Sequence, residues 1–157
     1  MTIKRKDKKL FLIYIGNEIL SSMTLFGSPI FYFFLILLLS RFNIVLAFRI
    51  IFVIILVELI CWTIKFFYFK ERPVKQLHLN FFESIDANSF PSIHTARISA
   101  LAVMVNFFYQ DLLLLIVSLV LVFSVGYSRI YLKKHYLTDV IGGFITGAAC
   151  SIVLILY

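Results

Sequence analysis

The sequence predicts an all-α membrane protein, a polytopic helical bundle of about five to six spans. Of its 157 residues, 62% are hydrophobic, and the mean hydropathy is +1.01, whereas a soluble domain carries much more polar surface. Several apolar runs are also long enough to cross the hydrocarbon core of a bilayer as helices. Their length disfavours the alternative, a very hydrophobic soluble bundle. We expect residues 1–157 to form a single membrane domain.

The formal net charge of +7 is concentrated at the N-terminus. A basic block that precedes an apolar run is typical of a topology signal and of contact with anionic lipids. No zinc-finger or RNA-binding signature accompanies it, so we expect membrane lipids and not nucleic acid as partners. The block contains Lys4, Arg5, Lys6, Lys8 and Lys9.

The first apolar run, residues 10–25, is interrupted by polar residues at helical spacing. We therefore interpret residues 1–25 as a basic N-terminus followed by a helix at the membrane surface, with a short span as the alternative. Residues 70–89 are polar and predict the main extramembrane loop, in which we expect His78 to be a surface residue. Spans are predicted at 26–40, 44–69, 92–109, 112–128 and 136–157.

Two features inside the apolar runs predict contacts between helices. Glu58 lies within 44–69, and a carboxylate at membrane depth is costly unless it faces the bundle interior. We favour a structural role for it, as the partner of a basic group or hydroxyl on another helix, over catalysis. Gly143 and Gly147 are four residues apart, a spacing that favours close helix packing. Cys61 and Cys150 are expected to be small buried hydrophobic residues.

Three polar clusters fall at span ends on the same side of the membrane. One contains Lys65 and Arg72, the second Ser92 and His94, and the third Arg129, His135 and Asp139. Taken separately, each cluster has an ordinary explanation as topology charges or helix caps. Their common sidedness predicts one site.

The chemistry of this set suits phosphoryl transfer, which depends on positioning and on stabilisation of negative charge. Lys65 and Arg72 are seven residues apart and share a helix face if the helix continues through Glu71. With Arg129 they predict a cradle for a dianionic group. The start of the next helix adds backbone N–H donors and the Ser92 hydroxyl.

The two histidines complete the predicted machinery. If a helix begins near His135, Asp139 lies one turn above the imidazole and holds one ring nitrogen as a donor, which leaves the other free to attack phosphorus. His94 would then protonate the departing oxygen. Three cations beside this set would repel a metal ion. We therefore expect neither a metal site nor a cofactor.

Three stretches of the chain resemble the signature motifs of the type 2 phosphatidic acid phosphatase superfamily. They are KFFYFKERP (65–73), PSIHTA (91–96) and SRIYLKKHYLTD (128–139), and the resemblance covers about half of the chain. It implies a metal-independent phosphatase that acts through a phosphohistidine. By motif, Lys65, Arg72, Ser92 and Arg129 would bind phosphate, His94 would be the acid, His135 the nucleophile and Asp139 its orienting partner.

One residue departs from the family pattern. The family usually has glycine between the serine and the histidine of the second motif, where this chain has Ile93. Glycine lets the backbone approach the phosphate closely, whereas a β-branched side chain crowds that approach. We expect an active enzyme because the other site residues are intact.

A site at headgroup level predicts an integral membrane lipid phosphatase. Polyprenyl diphosphate is favoured because the chain is compact, and phosphatidylglycerophosphate and phosphatidic acid are the other expected substrates. The alternatives are a lipid phosphotransferase and, because of Ile93, a weakly active lipid-phosphate binding protein. Turnover of any phospholipid distinguishes the binding protein from the enzymes.

The sequence gives conflicting indications of sidedness. With five spans the basic N-terminus lies on the side of the site, which the positive-inside rule makes cytoplasmic. If residues 10–25 cross the membrane, the site faces outward, and the family resemblance favours that orientation. We expect a multi-pass protein of the plasma (cytoplasmic) membrane, and the sequence does not indicate an oligomeric state.

Overall fold

The computed structural model describes residues 5–74, 80 and 85–157, and the side chains of all of these except 5–10 and 12. Within this part the chain forms helices and no strands, which confirms the predicted all-α class. A single 3-10 turn, Thr24–Gly27, separates the first two helices. The helices are α1 (Arg5–Met23), α2 (Pro29–Phe42), α3 (Ile44–Phe67), α4 (Ile93–Tyr109), α5 (Leu112–Tyr131) and α6 (Leu137–Leu156).

Three helices, α3, α5 and α6, are long and apolar enough to cross a membrane. The segments Ile13–Gly27 and Pro29–Phe42 together also meet this condition, but they are bent by 57° relative to each other. Counting that pair as one broken span gives four, roughly consistent with the predicted five to six. The difference arises because α2 has 14 residues and α4 has 17, fewer than a typical span of about 20.

Polar side chains at the turns set where the helices begin. The Ser28 hydroxyl accepts a hydrogen bond from the backbone N–H of Phe31, with Pro29 at the first helical position of α2. Asn43 Oδ1 accepts from the N–H of Leu46 at the start of α3. Asp111 Oδ1 does the same for α5 by accepting from Leu114. Each cap satisfies an N–H donor that the helix itself leaves unpaired.

Helix α4 lies at the centre of the bundle and packs against α3, α5 and α6. Its contact with α6 is close because glycines face it. A Cβ atom at Gly143 would lie 2.5 Å from the Ser92 carbonyl oxygen, and one at Gly147 would lie 2.1 Å from that of Ala96. The predicted role of this glycine pair in helix packing is therefore confirmed. Cys61 and Cys150 are free and buried, as expected.

Helix α1 lies at the end of the bundle where α4 and α6 begin. The Tyr131 hydroxyl, at the end of α5, donates to Asn17 Oδ1 of α1 at 2.9 Å. The turn that follows α1 contacts the start of α4, since Gly27 approaches His94. Both contacts are at the same end of the bundle, and the surface helix over residues 10–25 stays a prediction.

Between α3 and α4 the described residues are non-helical except for Ile85 and Asp86, which are helical. Helix α3 ends at Phe67 and Tyr68 is extended, with φ −122° and ψ 103°. Pro73 also disfavours helical geometry at Arg72, the residue before it. Residues 75–79 and 81–84 of the predicted loop, His78 among them, lie outside the described residues, as does Lys4.

Candidate active site

A cavity of about 220 Å³ opens at the bundle end where α3 and α5 finish and α4 and α6 begin. Five of the seven predicted site residues line it. The other two, Ser92 and Asp139, are fully buried behind the cavity wall. The lining residues are Lys65, Arg72, Asp86, Ile93, His94, Arg97, Arg129 and His135.

Lys65 and Arg72 reach the cavity from different backbone geometries. The prediction that they share one helix face was wrong, because α3 ends at Phe67 and the following residues are extended. Both instead bind the segment before α4. Lys65 Nζ donates to the Asn88 carbonyl, and Arg72 donates to the Asp86 carbonyl at 2.5 Å. Backbone oxygens therefore hold both cations in place.

Arg129, in the last turn of α5, is a buried cation with an unused hydrogen-bond donor. Its side chain pairs with no carboxylate in the described residues, and its Nε atom is buried without a hydrogen-bond acceptor there. A buried, unsatisfied charged donor is costly. A bound anion in the cavity would satisfy it.

His135 lies in the short connection between α5 and α6 and is buried. Its Nδ1 atom is 2.7 Å from the carbonyl oxygen of Ser89. Because a carbonyl oxygen only accepts, Nδ1 carries the proton, and in the neutral ring Nε2 keeps its lone pair. Ser89 is itself held by its N–H, which donates to the Lys70 carbonyl at 2.8 Å.

Burial lowers the pKa of His135, and the nearby Arg129, Arg72 and Lys65 lower it further, while the Asp139 carboxylate opposes them. The imidazole is therefore neutral near pH 7, as a nucleophile requires. Burial also lowers the pKa of Arg72, against the opposing charge of Asp86. The cavity thus concentrates positive charge where little solvent screens it.

Asp139 stands in a different place from the one predicted. Helix α6 begins at Leu137 and not at His135, so the two residues do not stack on consecutive helical turns. Asp139 Oδ2 is 3.8 Å from His135 Nδ1, which is beyond hydrogen-bond distance. Its charge still faces the ring, while Oδ2 accepts from the Tyr136 N–H at 2.9 Å.

Lys70 is a second partner of Asp139 that the sequence interpretation missed. Its Nζ atom lies 2.5 Å from Asp139 Oδ1 and 2.6 Å from the Thr138 hydroxyl. The ammonium also lies over the rings of Phe90 and Tyr136, at 5.8 and 5.1 Å from their centroids. In the sequence, only the position of Lys70 inside the motif 65–73 indicated that it belongs to the site.

Ser92 is the N-cap of α4, and His94 is the second residue of that helix. The Ser92 N–H donates to the Asp139 carbonyl at 2.9 Å, which ties this helix start to α6. The Ser92 hydroxyl accepts from Thr95 at 3.0 Å and lies behind the lining residues. His94 faces the cavity together with Arg129 and His135.

Two lining residues, Asp86 and Arg97, were not singled out from the sequence. Arg97 is the one on α4. It follows His94 by three residues on the same helix, so the two share a face. Its Nε forms an ion pair with Glu58 of α3. The expected role of Glu58 as the partner of a basic group is thus confirmed. Ile93, also in the lining, packs against the apolar core cluster as well.

No group of three or more His, Cys, Asp or Glu side chains suited to a metal ion occurs within residues 5–74, 80 and 85–157. Among the residues that the structure describes, the lining of the cavity combines four cations and two histidines with the carboxylate of Asp86. Such a donor set suits an anion better than a cation.

The fold and the cavity define a helical membrane protein with a cavity at one end of the bundle that is lined by cations and two histidines. The model of the PAP2 superfamily matches residues 46–157, and the chain belongs to that superfamily. The matched region begins in α3 and contains every predicted site residue.

Two solved structures are similar to this fold over most of its length. The first is LpxE of Aquifex aeolicus, with a TM-score of 0.79 and 25% sequence identity over 91% of this chain and 87% of that one. The second is a transmembrane PAP2-type phosphatidylglycerolphosphate phosphatase from Bacillus subtilis. Its TM-score is 0.73, with 24% identity over 88% of this chain and 74% of that one.

Proposed function

We propose that this protein is an integral membrane lipid phosphatase that works without a metal ion through a phosphohistidine at His135. The observation that carries the proposal is that His94 and His135 line the same cavity as the cations proposed to bind phosphate, which are Lys65, Arg72 and Arg129. Membership of the PAP2 superfamily supports a phosphatase, and so does the similarity to a phosphatidylglycerolphosphate phosphatase. The apolar helices support a substrate that is itself a membrane lipid.

In the first step, Lys65, Arg72 and Arg129 bind the phosphoryl oxygens and offset their charge. His135 Nε2 attacks phosphorus, and the bond from phosphorus to the leaving oxygen breaks. His94 donates a proton to that oxygen, so the lipid leaves as an alcohol or, from a diphosphate, as a monophosphate. The phosphoryl group remains on His135.

In the second step, water attacks the phosphohistidine and gives its proton to His94, which releases phosphate and restores both histidines. The same cations that bind phosphate disfavour a proton on His94 in the empty cavity. A dianionic substrate offsets their charge. Substrate binding and protonation of His94 are therefore linked.

The substrate class follows from where the cavity lies. It is built at helix ends, where a lipid headgroup can enter while its tail stays among the apolar helices. We propose polyprenyl diphosphate as the leading substrate, ahead of phosphatidylglycerophosphate and phosphatidic acid. We place the protein in the plasma membrane.

The test is phosphate release in detergent micelles from a panel of these three lipids, with and without EDTA. We expect EDTA-resistant release from at least one lipid by the wild type and none by His135→Ala. The matched control is His78→Ala, which changes the one remaining histidine of the three in the chain and should retain activity. EDTA-sensitive release would contradict metal independence, and no release from any lipid would favour a binding protein.

A further inference from the structure

The bend between α1 and α2 is fastened to the start of α4 by a buried arginine. Arg97 donates from its NH1 to the carbonyl oxygen of Gly27 at 2.8 Å. Its Nε pairs with Glu58 of α3, so the guanidinium has a fixed orientation. Gly27 is buried at the end of the 3-10 turn. We call Arg97, Glu58 and Gly27 the Arg97 clamp.

The clamp brings the Gly27 backbone into direct contact with His94. A Cβ atom at Gly27 would lie 2.6 Å from His94 Cβ and 2.9 Å from His94 Cα. Real side chains do not approach so closely, and the atoms in the way are the Cα and Cβ of His94 together with its ring carbon Cδ2, at 2.9 Å. Any residue other than glycine must therefore move either the bend or the histidine.

We propose that the Arg97 clamp is a positioning device that seats the α1–α2 bend against His94 and sets the direction of its imidazole toward the leaving oxygen. This inference rests on the proposed acid role of His94. It makes the N-terminal helices part of the active-site structure, although the matched family region begins only at residue 46. Arg97, Glu58 and Gly27 act through His94 and need not touch the reacting atoms.

A displaced acid has a kinetic signature that general misfolding lacks. An alkyl phosphate has a poor leaving group that must be protonated as it departs, whereas the nitrophenolate of p-nitrophenyl phosphate leaves without a proton. Loss of general-acid catalysis costs roughly 10²–10⁴-fold for reactions that need the proton. A displacement of about 1 Å can cost on the order of 10²-fold.

The experiment compares Gly27→Ala with Gly16→Ala in the full-length protein in detergent. Gly16 lies in α1 with no atom within 4 Å of a Cβ placed there, so it is a matched control in the same N-terminal unit. We expect kcat/KM of Gly27→Ala on dodecyl phosphate to fall by about tenfold or more. Its kcat/KM on p-nitrophenyl phosphate reports only the steps up to release of nitrophenolate, before water gives a proton to His94, and should stay near that of the wild type. Gly16→Ala should match the wild type on both substrates.

Equal loss of kcat/KM on both substrates would show a structural role only, and unchanged kcat/KM on dodecyl phosphate would show that the contact is dispensable. Either result overturns the proposal. Should Gly27→Ala fail to fold, Arg97→Gln releases the Gly27 carbonyl without adding bulk. It should show the same bias against the alkyl phosphate, and equal loss would again overturn the proposal.

His94→Gln, measured beside these variants, separates this inference from the proposed function. Its kcat/KM should fall selectively on dodecyl phosphate. If it shows that bias and both clamp variants do not, the clamp proposal fails while the acid role of His94 stands. If His94→Gln shows no bias, the acid role fails and the positioning inference fails with it.

Discussion

At the level of single residues, Asp139 lies between the Lys70 ammonium and the neutral His135 ring, at different distances from the two. Lys70 contacts Oδ1 at 2.5 Å, whereas His135 Nδ1 is 3.8 Å from Oδ2. The Ser89 carbonyl binds the ring nitrogen directly and fixes its tautomer. The carboxylate therefore adjusts the charge preference of His135 more than it sets the orientation of the ring.

This arrangement predicts opposite pH shifts for two variants. The nucleophile must be unprotonated, and the pKa of His135 is lowered by burial and by the cations Arg129, Arg72 and Lys65. The acidic limb of the kcat/KM profile should therefore lie below the ordinary histidine value of about 6.5. Asp139→Asn removes the charge that favours imidazolium and should move the limb to lower pH.

Lys70→Met should move the same limb to higher pH, because the Asp139 charge is then fully available to His135. Lys70→Arg, which keeps the cation, is the control and should leave the limb in place. The pH dependence of kcat/KM over the acidic range measures both shifts. A shift in the same direction for Asp139→Asn and Lys70→Met would contradict this account.

Ile93 tests whether its side chain crowds the phosphate. It is 8% exposed and packs in the apolar core cluster while also lining the cavity. We expect Ile93→Ala to destabilise the protein by about 2–5 kcal/mol, the usual cost of such a truncation. Turnover per folded molecule should not change. A clear rise in turnover, measured with the thermal midpoint, would show that Ile93 restricts the substrate.

The individual site residues were largely predictable, because the charges and histidines stand at fixed spacings in three short stretches. The roles of Ser89, Lys70 and Arg97 were not. Ser89 acts through its backbone carbonyl, which no side-chain pattern reports. Lys70 and Arg97 acquire their partners only when α6 and α3 pack beside them, since their contacts are 69 and 39 residues away in sequence.

At the level of helices, the approach of α4 to α6 sets the width of the site. The Ser92 N–H donates to the Asp139 carbonyl between these helices, and Gly143 and Gly147 let their backbones meet. A wider separation would move His94 away from His135. Helix packing and catalytic geometry are therefore coupled.

Gly147→Ala should weaken this contact, because the new Cβ would lie 2.1 Å from the Ala96 carbonyl oxygen. We expect a loss of stability of about 1–3 kcal/mol, typical of overpacking, seen as a lower thermal midpoint in detergent. Gly142→Ala is a neighbouring comparison in which the new Cβ meets the movable Phe90 ring. It should cost less, and an equal or greater loss would contradict the backbone argument.

The helices were predicted to within a few residues because long apolar runs and caps such as Asn43 and Asp111 mark them. Their ends near the site were less predictable. Helix α3, which contains Lys65, ends at Phe67 although the apolar run continues to Phe69. The one after His135 begins at Leu137, one residue after the predicted start of the span. Near the end of α3 the Asn88 side chain donates to the Lys65 carbonyl, a tertiary hydrogen bond that local sequence does not encode. At the start of α6 the Asp139 carboxylate accepts from the Tyr136 N–H.

For the whole molecule, the contacts of α1 predict its topology. Asn17 and Gly27 both meet the bundle at the end that carries the site. We therefore expect the N-terminus and the site to lie on the same side of the membrane. The positive-inside rule makes that side cytoplasmic, in contrast to the outward orientation that the family resemblance favours.

Labelling intact cells with an impermeant maleimide tests this topology. An N-terminal tag cysteine and Glu71→Cys, at an exposed position near the site, should react alike, with little background because Cys61 and Cys150 are buried. The same pair labelled after lysis controls for reactivity. Labelling of only one of the two in intact cells would show that the segment before α2 crosses the membrane.

The central claim is that His135 carries the phosphoryl group, and the most direct test is to trap it. Wild type and His135→Asn would be mixed with the preferred lipid carrying a ³²P-labelled phosphoryl group and quenched within milliseconds. The mechanism predicts an acid-labile, alkali-stable phosphoenzyme in the wild type, with the label on the peptide that contains His135. His135→Asn should show neither label nor turnover. Phosphate release by His135→Asn at the wild-type rate would contradict the mechanism.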